Sequence, residues 1–340
     1  FSLITPHSPI YINGNENFTS DNGVIGGNGS IDNPYIISGW LINAIEFGIR
    51  IENTSAHFIL KNSEIIGNGT NYGIYITNVT NGKIENLNIR DNYIGIKLNS
   101  SSQIFISNSV ISCNIDDAIF LNYSSNIYIE NCSIHDNEWG IWIYYSENNN
   151  ITNCEIYNNS MDGIFLSVSP RNIIDGCIIS RNRYGICLWH LSDDTEIKSC
   201  NIYDNSEGVY STFSSNIKLH HSNIYENMNY GVYNYNSESR YKINATYCWW
   251  GHESGPYHPT LNPSGQGDNV SNNVEFMPWL NQPYGLNTPP VANDDYYSTD
   301  EDIALSIDAP GVLENDYDAD GDTLSAILVS EPSHGSLTFN

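Results

Sequence analysis

The sequence predicts an all-β protein wound as a parallel β-helix, and three observations carry that prediction. The first is a phrase in which Gly precedes alternating apolar residues: YGIYI at 72–76, IGIKL at 94–98, WGIWI at 139–143, DGIFL at 162–166, YGICL at 184–188 and YGVYN at 230–234. Its glycines are Gly48, Gly73, Gly95, Gly140, Gly163, Gly185, Gly208 and Gly231. With Ala118 of DAIFL in the missing slot, they stand 22–25 residues apart. The second is an intervening phrase with the same period: IENCSIHDN at 129–137, ITNCEIYNN at 151–159, IIDGCIISRN at 173–182 and IKSCNIYDN at 197–205. The third is composition. Among 340 residues, 49 are Asn, 26 Gly and 24 Tyr, while the helix formers Ala, Leu, Lys and Met are scarce.

Each repeat is too small to bury its own apolar face, so the coils must stack and pair their backbones with the coils above and below. About three strands of 3–5 residues per coil, broken at Asn, Gly or Ser, fit the period. Alternation turns Ile74, Ile76, Ile141, Ile143, Ile164 and Leu166 inward and Tyr75, Trp142 and Phe165 outward. The tight corners call for left-handed residues, a role assigned to Asn92, Asn114, Asn137, Asn159, Asn182, Asn205 and Asn227. A β-propeller would need repeats of about 40 residues.

These repeats resemble those of the right-handed parallel β-helix superfamily, and of its NosD-like surface proteins in particular. The resemblance spans roughly residues 8–280. It includes an N-terminal segment, HSPIYINGN through NPYIISGW at 7–40, and a C-terminal one, TYCWWGHESGPYHP through EFMPWL at 246–280. Both read as caps over strand edges that would otherwise aggregate. The expected organisation is a cap and first coil over 1–46, coils over 47–251, a second cap over 252–281, a linker over 282–290 and a β domain over 291–340. That last segment (ANDDYYSTDEDIALSI, GVLENDYDADGDTLSAILV, HGSLTF) resembles the start of a cadherin-like or bacterial immunoglobulin-like sandwich. It has about half the usual length, which reads as truncation or as completion by another chain. The first residue is Phe1 rather than Met, which reads as removal of a leader.

A formal net charge of -27, from 39 acidic and 12 basic residues, argues against nucleic acid or an anionic membrane surface as partner. No apolar run approaches the roughly 18 residues of a membrane span. A secreted or cell-surface location is expected. Twelve N-x-S/T sequons, among them Asn53, Asn78, Asn122, Asn150 and Asn244, are candidate glycosylation sites.

Four features could carry chemistry. Asp316, Asp318, Asp320 and Asp322 alternate around a Gly turn and are candidate calcium ligands, calcium being the one cofactor indicated. Cys132, Cys154, Cys177 and Cys200 fall in one register and read as stacked, buried free thiols, with Cys113, Cys187 and Cys248 outside it. Asp116 and Asp117 resemble the paired aspartates of polygalacturonases, although the accompanying His and Arg-Ile-Lys motifs of that family are missing; Asp193 and Asp194 form a second pair. Finally Tyr75, Phe120, Trp142, Phe165, Tyr210 and Tyr233 share one outward slot and predict an aromatic interaction stripe. The leading expectation is a non-catalytic structural or adhesive surface protein, binding further copies of itself or surface glycans and assembling through its ends and its incomplete domain. The alternative is a polysaccharide lyase or hydrolase, or a carbohydrate-binding β-helix protein.

Overall fold

The structure is a computed structural model that describes residues 4–285, 290–300, 302–317, 323–328 and 337. The chain forms two compact units, Phe1–Tyr284 and Gly285–Asn340. The first is the predicted solenoid. Each coil contributes one strand to each of three parallel sheets; the coil after Ala118, for example, supplies Asp117–Asn122 to the second sheet, Ser125–Glu130 to the third and Ser133–His135 to the first. The first sheet holds ten strands, from Thr5–His7 to Asn223–Tyr225. In one coil the strand Tyr72–Glu85 runs unbroken through the second and third sheets.

Coils superpose residue on residue. In the second sheet Ile96 pairs with Ile119, and the column continues through Ile141, Ile164, Ile186, Val209 and Val232. All are fully buried, and each such side chain contributes about 1.5–3 kcal/mol on leaving water.

Three corners close each coil, and all are built alike: a left-handed residue followed by a small buried residue whose polar atom is satisfied by the backbone. At the first corner the left-handed residues are Asp91, Cys113, Asp136, Asn158, Arg181, Asp204 and Glu226, with φ of 55–61°. The asparagines that follow them, Asn92 through Asn227, are not left-handed, which corrects the role expected from the sequence. They are buried and form a ladder. Asn137 Oδ1 accepts from the backbone N–H and the Nδ2 of Asn114 at 3.0 and 2.9 Å, and the pattern repeats from Asn92 to Asn227. The ladder ends where Asn227 donates to Asp268 in the C-terminal cap. The second corner carries serines: Ser101 N–H donates to Ser124 Oγ, Ser124 N–H to Ser146 Oγ and Ser146 N–H to Ser169 Oγ, at 2.9–3.1 Å.

At the third corner Cys132, Cys154, Cys177 and Cys200 donate their thiols to the carbonyl two residues back, at 3.1–3.5 Å. Ser109 and Ser222 make the same bond in the same column. Cys248 also belongs here, donating to Thr246 O and Leu219 O; the 26-residue step from Ser222 hides it from the 22–23-residue period. Burial pushes the Cys248 thiol up to about 12. All seven cysteines are free thiols.

The repeat glycine has an equally specific cause. A Cβ at Gly73, Gly95, Gly140, Gly163, Gly185 or Gly208 would stand 2.3–2.7 Å from the carbonyl oxygen of the equivalent residue one coil on. The coils touch backbone to backbone there, and only Gly or the single Ala118 fits.

The ends are covered by aromatic side chains. Phe18 stacks on Tyr35 at 4.4 Å beside buried Phe58, and Trp40 Nε1 donates to Gly23 O. At the other end Trp250 and Phe276 are fully buried. In the second unit the described residues include an antiparallel bridge between Val291 and Tyr317 and a 3-10 turn, Gly311–Leu313.

Two outcomes follow. Gly140→Ala lowers the guanidinium unfolding midpoint by an amount equivalent to roughly 2 kcal/mol or more, whereas Gly26→Ala, whose Cβ meets nothing within 4 Å, stays within about 0.5 kcal/mol. Thiol titration of the native protein modifies exposed Cys113 alone, and the other six react only after unfolding.

Candidate functional site

The columns that bury the core also array the outward residues in rows. On the second sheet the middle outward row reads Tyr11, Arg50, Tyr75, Lys97, Phe120, Trp142, Phe165, Cys187, Tyr210 and Tyr233. All six residues expected in the aromatic stripe lie in it, half-buried, with Lys97 and Cys187 interrupting them. Lys97 bridges the gap as a cation, its Nζ 4.9–5.7 Å from the ring centroids of Tyr72, Tyr75 and Phe120.

The rings are arranged in two ways. Tyr184, Tyr210 and Tyr233 form a nearly parallel stack, at interplanar angles of 9° and 19°, which turns ring edges outward. Phe120, Trp139, Trp142 and Phe165 cluster at 5.2–5.6 Å with angles of 32–74°. Those tilts break the parallel stacking that the tyrosines keep.

The neighbouring row, one residue before the repeat glycine, contains Tyr72, Ile94, Asp117, Trp139, Asp162, Tyr184 and Glu207. Two aspartates therefore flank Trp139 on successive coils. Both are almost fully buried, at 1% and 2% exposure, and Oδ1 of each has no hydrogen-bond partner among the described residues. Burial, reinforced by the Asp116 carboxyl and opposed by Lys97, pushes Asp117 up to about 8. Burial, opposed by Arg183, pushes Asp162 up to about 7. Burial, reinforced by the Asp162 carboxyl, holds the Cys187 thiol well above its ordinary value. The face thus combines tilted aromatic rings and the cations Lys97 and Arg183 over two buried, proton-holding carboxyls.

Of the aspartate pair read from the sequence, Asp117 lies in this row. Asp116 accepts the backbone N–H groups of Glu138 and Trp139 on its carbonyl, and its carboxyl raises the Tyr93 phenol. Asp193 and Asp194 are corner residues bonded to Ser215 N–H and Asn216 Nδ2. Sequence reasoning missed Asp162, whose signal is its place 45 residues after Asp117, two coils on in the same slot. Among the glycosylation candidates, Asn53 and Asn78 are exposed and joined in an outer amide ladder with Asn13, and Asn122 donates to Asn99. Asn150 begins a third-sheet strand, and Asn244 accepts from Thr246. Asp316 accepts from Asn293 N–H; Asp318, Asp320 and Asp322 lie outside the described residues. Among the described residues no three His, Cys, Asp or Glu side chains come together as a metal-holding group.

The right-handed β-helix region family matches residues 47–197 and 140–246, more than half of the sequence. The chain belongs to the right-handed β-helix family. The bacterial Ig domain family matches residues 287–340, so an immunoglobulin-like domain follows the helix. No curated protein matches the sequence. Among solved structures, this β-helix protein is similar to ORF18 of Geobacillus virus E2, with 15% identity and a TM-score of 0.54 over 79% of this chain and 60% of that one. It is also similar to tailspike protein 2 of Escherichia coli O157:H7 bacteriophage CAB120, with 13% identity and a TM-score of 0.51 over 79% of this chain and 41% of that one. The chain thus spans less than two thirds of either. The mannuronan C-5 epimerase AlgE4 A-module of Azotobacter vinelandii matches with 13% identity and a TM-score of 0.46, over 81% and 87% of the two chains. At these identities the likeness is one of fold. Among the described residues no helix is long and apolar enough to cross a membrane.

The two raised carboxyls give a pH signature. From the ordinary value of 3.8 upward, the folded protein holds protons that the unfolded chain has released. Their contribution to stability is whole below about pH 4 and is lost as the pH rises through 7 and 8. In the double variant Asp117→Asn, Asp162→Asn the unfolding midpoint falls less from about pH 5 to about pH 9 than in the parent. An identical fall in both proteins would contradict the assignment.

Proposed function

We propose that this is an exported carbohydrate-binding β-helix protein that seats a polysaccharide chain along the outward face of its second sheet. The observation that carries the reading is the cluster of half-buried Phe120, Trp139, Trp142 and Phe165, four rings 5.2–5.6 Å apart on two adjacent outward rows of the second sheet. Sugar rings pack their apolar faces on such surfaces and direct hydroxyls to neighbouring polar groups. A row repeating every ~4.8 Å suits an extended polymer. The -27 charge favours a glycan of low charge over a polyanion. This places the carbohydrate alternative ahead of the structural or adhesive role that leads on sequence alone.

A second reading is supported by the carboxyl pair. Glycoside hydrolysis needs one carboxyl that donates a proton and one that accepts. Burial raises both Asp117 and Asp162 far above the ordinary carboxylate range, so either can hold a proton near neutral pH. Two coils separate them, on the order of 10 Å, near the wide limit for an inverting pair. In this reading one of the two protonates the leaving oxygen, the other takes a proton from water, and Trp139 between them is the residue that must shift to admit the sugar.

A glycan array followed by titration tests both. Binding of an extended glycan that weakens about tenfold or more in Trp142→Ala is the expected result. Loss of reducing-end release in Asp117→Asn, with binding retained, supports hydrolysis. No glycan bound, together with concentration-dependent assembly that Trp142→Ala abolishes, would return the face to self-association.

A further inference from the structure

The third sheet carries a groove of about 650 Å³ on a face the second-sheet site does not share. Its floor includes Ile59 and Lys83, successive members of one outward row that continues as Phe105 and Tyr128. One wall comes from Ile31 and Pro34 of the N-terminal cap. Phe105 and Tyr128 stack at 4.6 Å and 7°. A parallel stack hides the facing surfaces and leaves the far face of Phe105 turned along the row toward the Lys83 coil, and Phe105 is 46% exposed.

Beside this stack runs a row of amides. Asn81, Gln103 and Asn126 occupy one left-handed slot on three successive coils, with φ of 67°, 55° and 57°. Asn81 is committed to the backbone, donating to Ser55 O at 3.0 Å. Gln103 and Asn126 are exposed, and among the described residues their side-chain amides have no partner. Each supplies donors and an acceptor side by side. The one cation on the floor, Lys83, is paired with Glu85 at 2.6 Å.

From these features we infer a second binding site, for a segment of neutral glycan wedged between the cap and the exposed face of Phe105. An aromatic face with adjacent unpaired amides matches the apolar face and vicinal hydroxyls of a sugar ring. Neutralisation of Lys83 by Glu85 removes the charge that would select a uronate. An extended peptide adding to the sheet has nothing to pair with, because these strands already have neighbours on both sides and the face offers side chains only. The inference rests on its own residues and does not require the second-sheet reading.

The test uses the full chain with cellohexaose and maltohexaose as neutral probes and hexagalacturonate as the acidic one. Calorimetric titration is combined with nitrogen–proton correlation spectra of the side-chain amides. At least one neutral probe is expected to shift the Gln103 and Asn126 amide signals. The affinity read from the Asn126 amide signal, which reports on this groove alone, falls about tenfold or more in Phe105→Ala and threefold or more in Gln103→Ala. Phe105 projects outward, so its loss leaves the core columns intact; an unchanged unfolding midpoint verifies this. Neutral probes that leave both amides unmoved, an Asn126 amide shift that keeps its affinity in Phe105→Ala, or preference for hexagalacturonate at these amides would each overturn the inference. Sensitivity to Trp142→Ala without sensitivity to Phe105→Ala would leave the second-sheet site standing and remove this one; the reverse would do the opposite.

Discussion

Everything in the solenoid depends on the registered stacking of one coil on the next at its three corners. A corner bends the chain through a left-handed residue and buries the polar side chain that follows. That group finds its partners in the backbone of its own coil or in the neighbouring coil, and leaving such a group unpaired costs about 1–3 kcal/mol. Asparagine, serine and cysteine columns solve the same problem at three positions. The repeat glycine adds a steric demand, since the backbones approach too closely there for a larger side chain. Together these constraints hold the coil length at 22–23 residues through most of the helix and leave the outward positions free to vary.

That division explains what the sequence disclosed. The period, the glycines and the inward isoleucines are required by every coil, so they repeat and were legible; the all-β solenoid they predict is the observed fold. The asparagines were visible as a column, but their task was misread. Composition cannot separate a residue that adopts a left-handed corner from one buried immediately after it, and Asp91, Asp136 and Arg181, which do adopt that corner, vary in type. Cys248 was hidden by an irregular step in spacing. Asp162 was overlooked because Asp-Gly reads as an ordinary turn, and only the register places it two coils from Asp117 beside the same Trp139.

The outward surface is where function is written, and its pattern is not periodic. On the second sheet aromatic residues give way to Lys97 in one coil and Cys187 in another, and carboxyls enter the adjacent row at Asp117, Asp162 and Glu207, of which the first two are buried. Such departures from the repeat have no role in stacking. Burying a carboxyl without full hydrogen bonding is unfavourable, and of the eight buried polar side-chain atoms without a partner among the described residues, three belong to Asp117, Trp142 and Asp162. They fall beside the tilted aromatic cluster, which makes that stretch the most specialised part of the face.

The most direct test is a crystal structure of the complete chain with the oligosaccharide that binds it most tightly. The account predicts electron density for sugar rings running along the solenoid axis on the second sheet, packed on Trp142 and Phe165 between Lys97 and Arg183. Sugar bound only elsewhere, or a second copy of the chain covering Trp142 in solution as well as in the lattice, would contradict it.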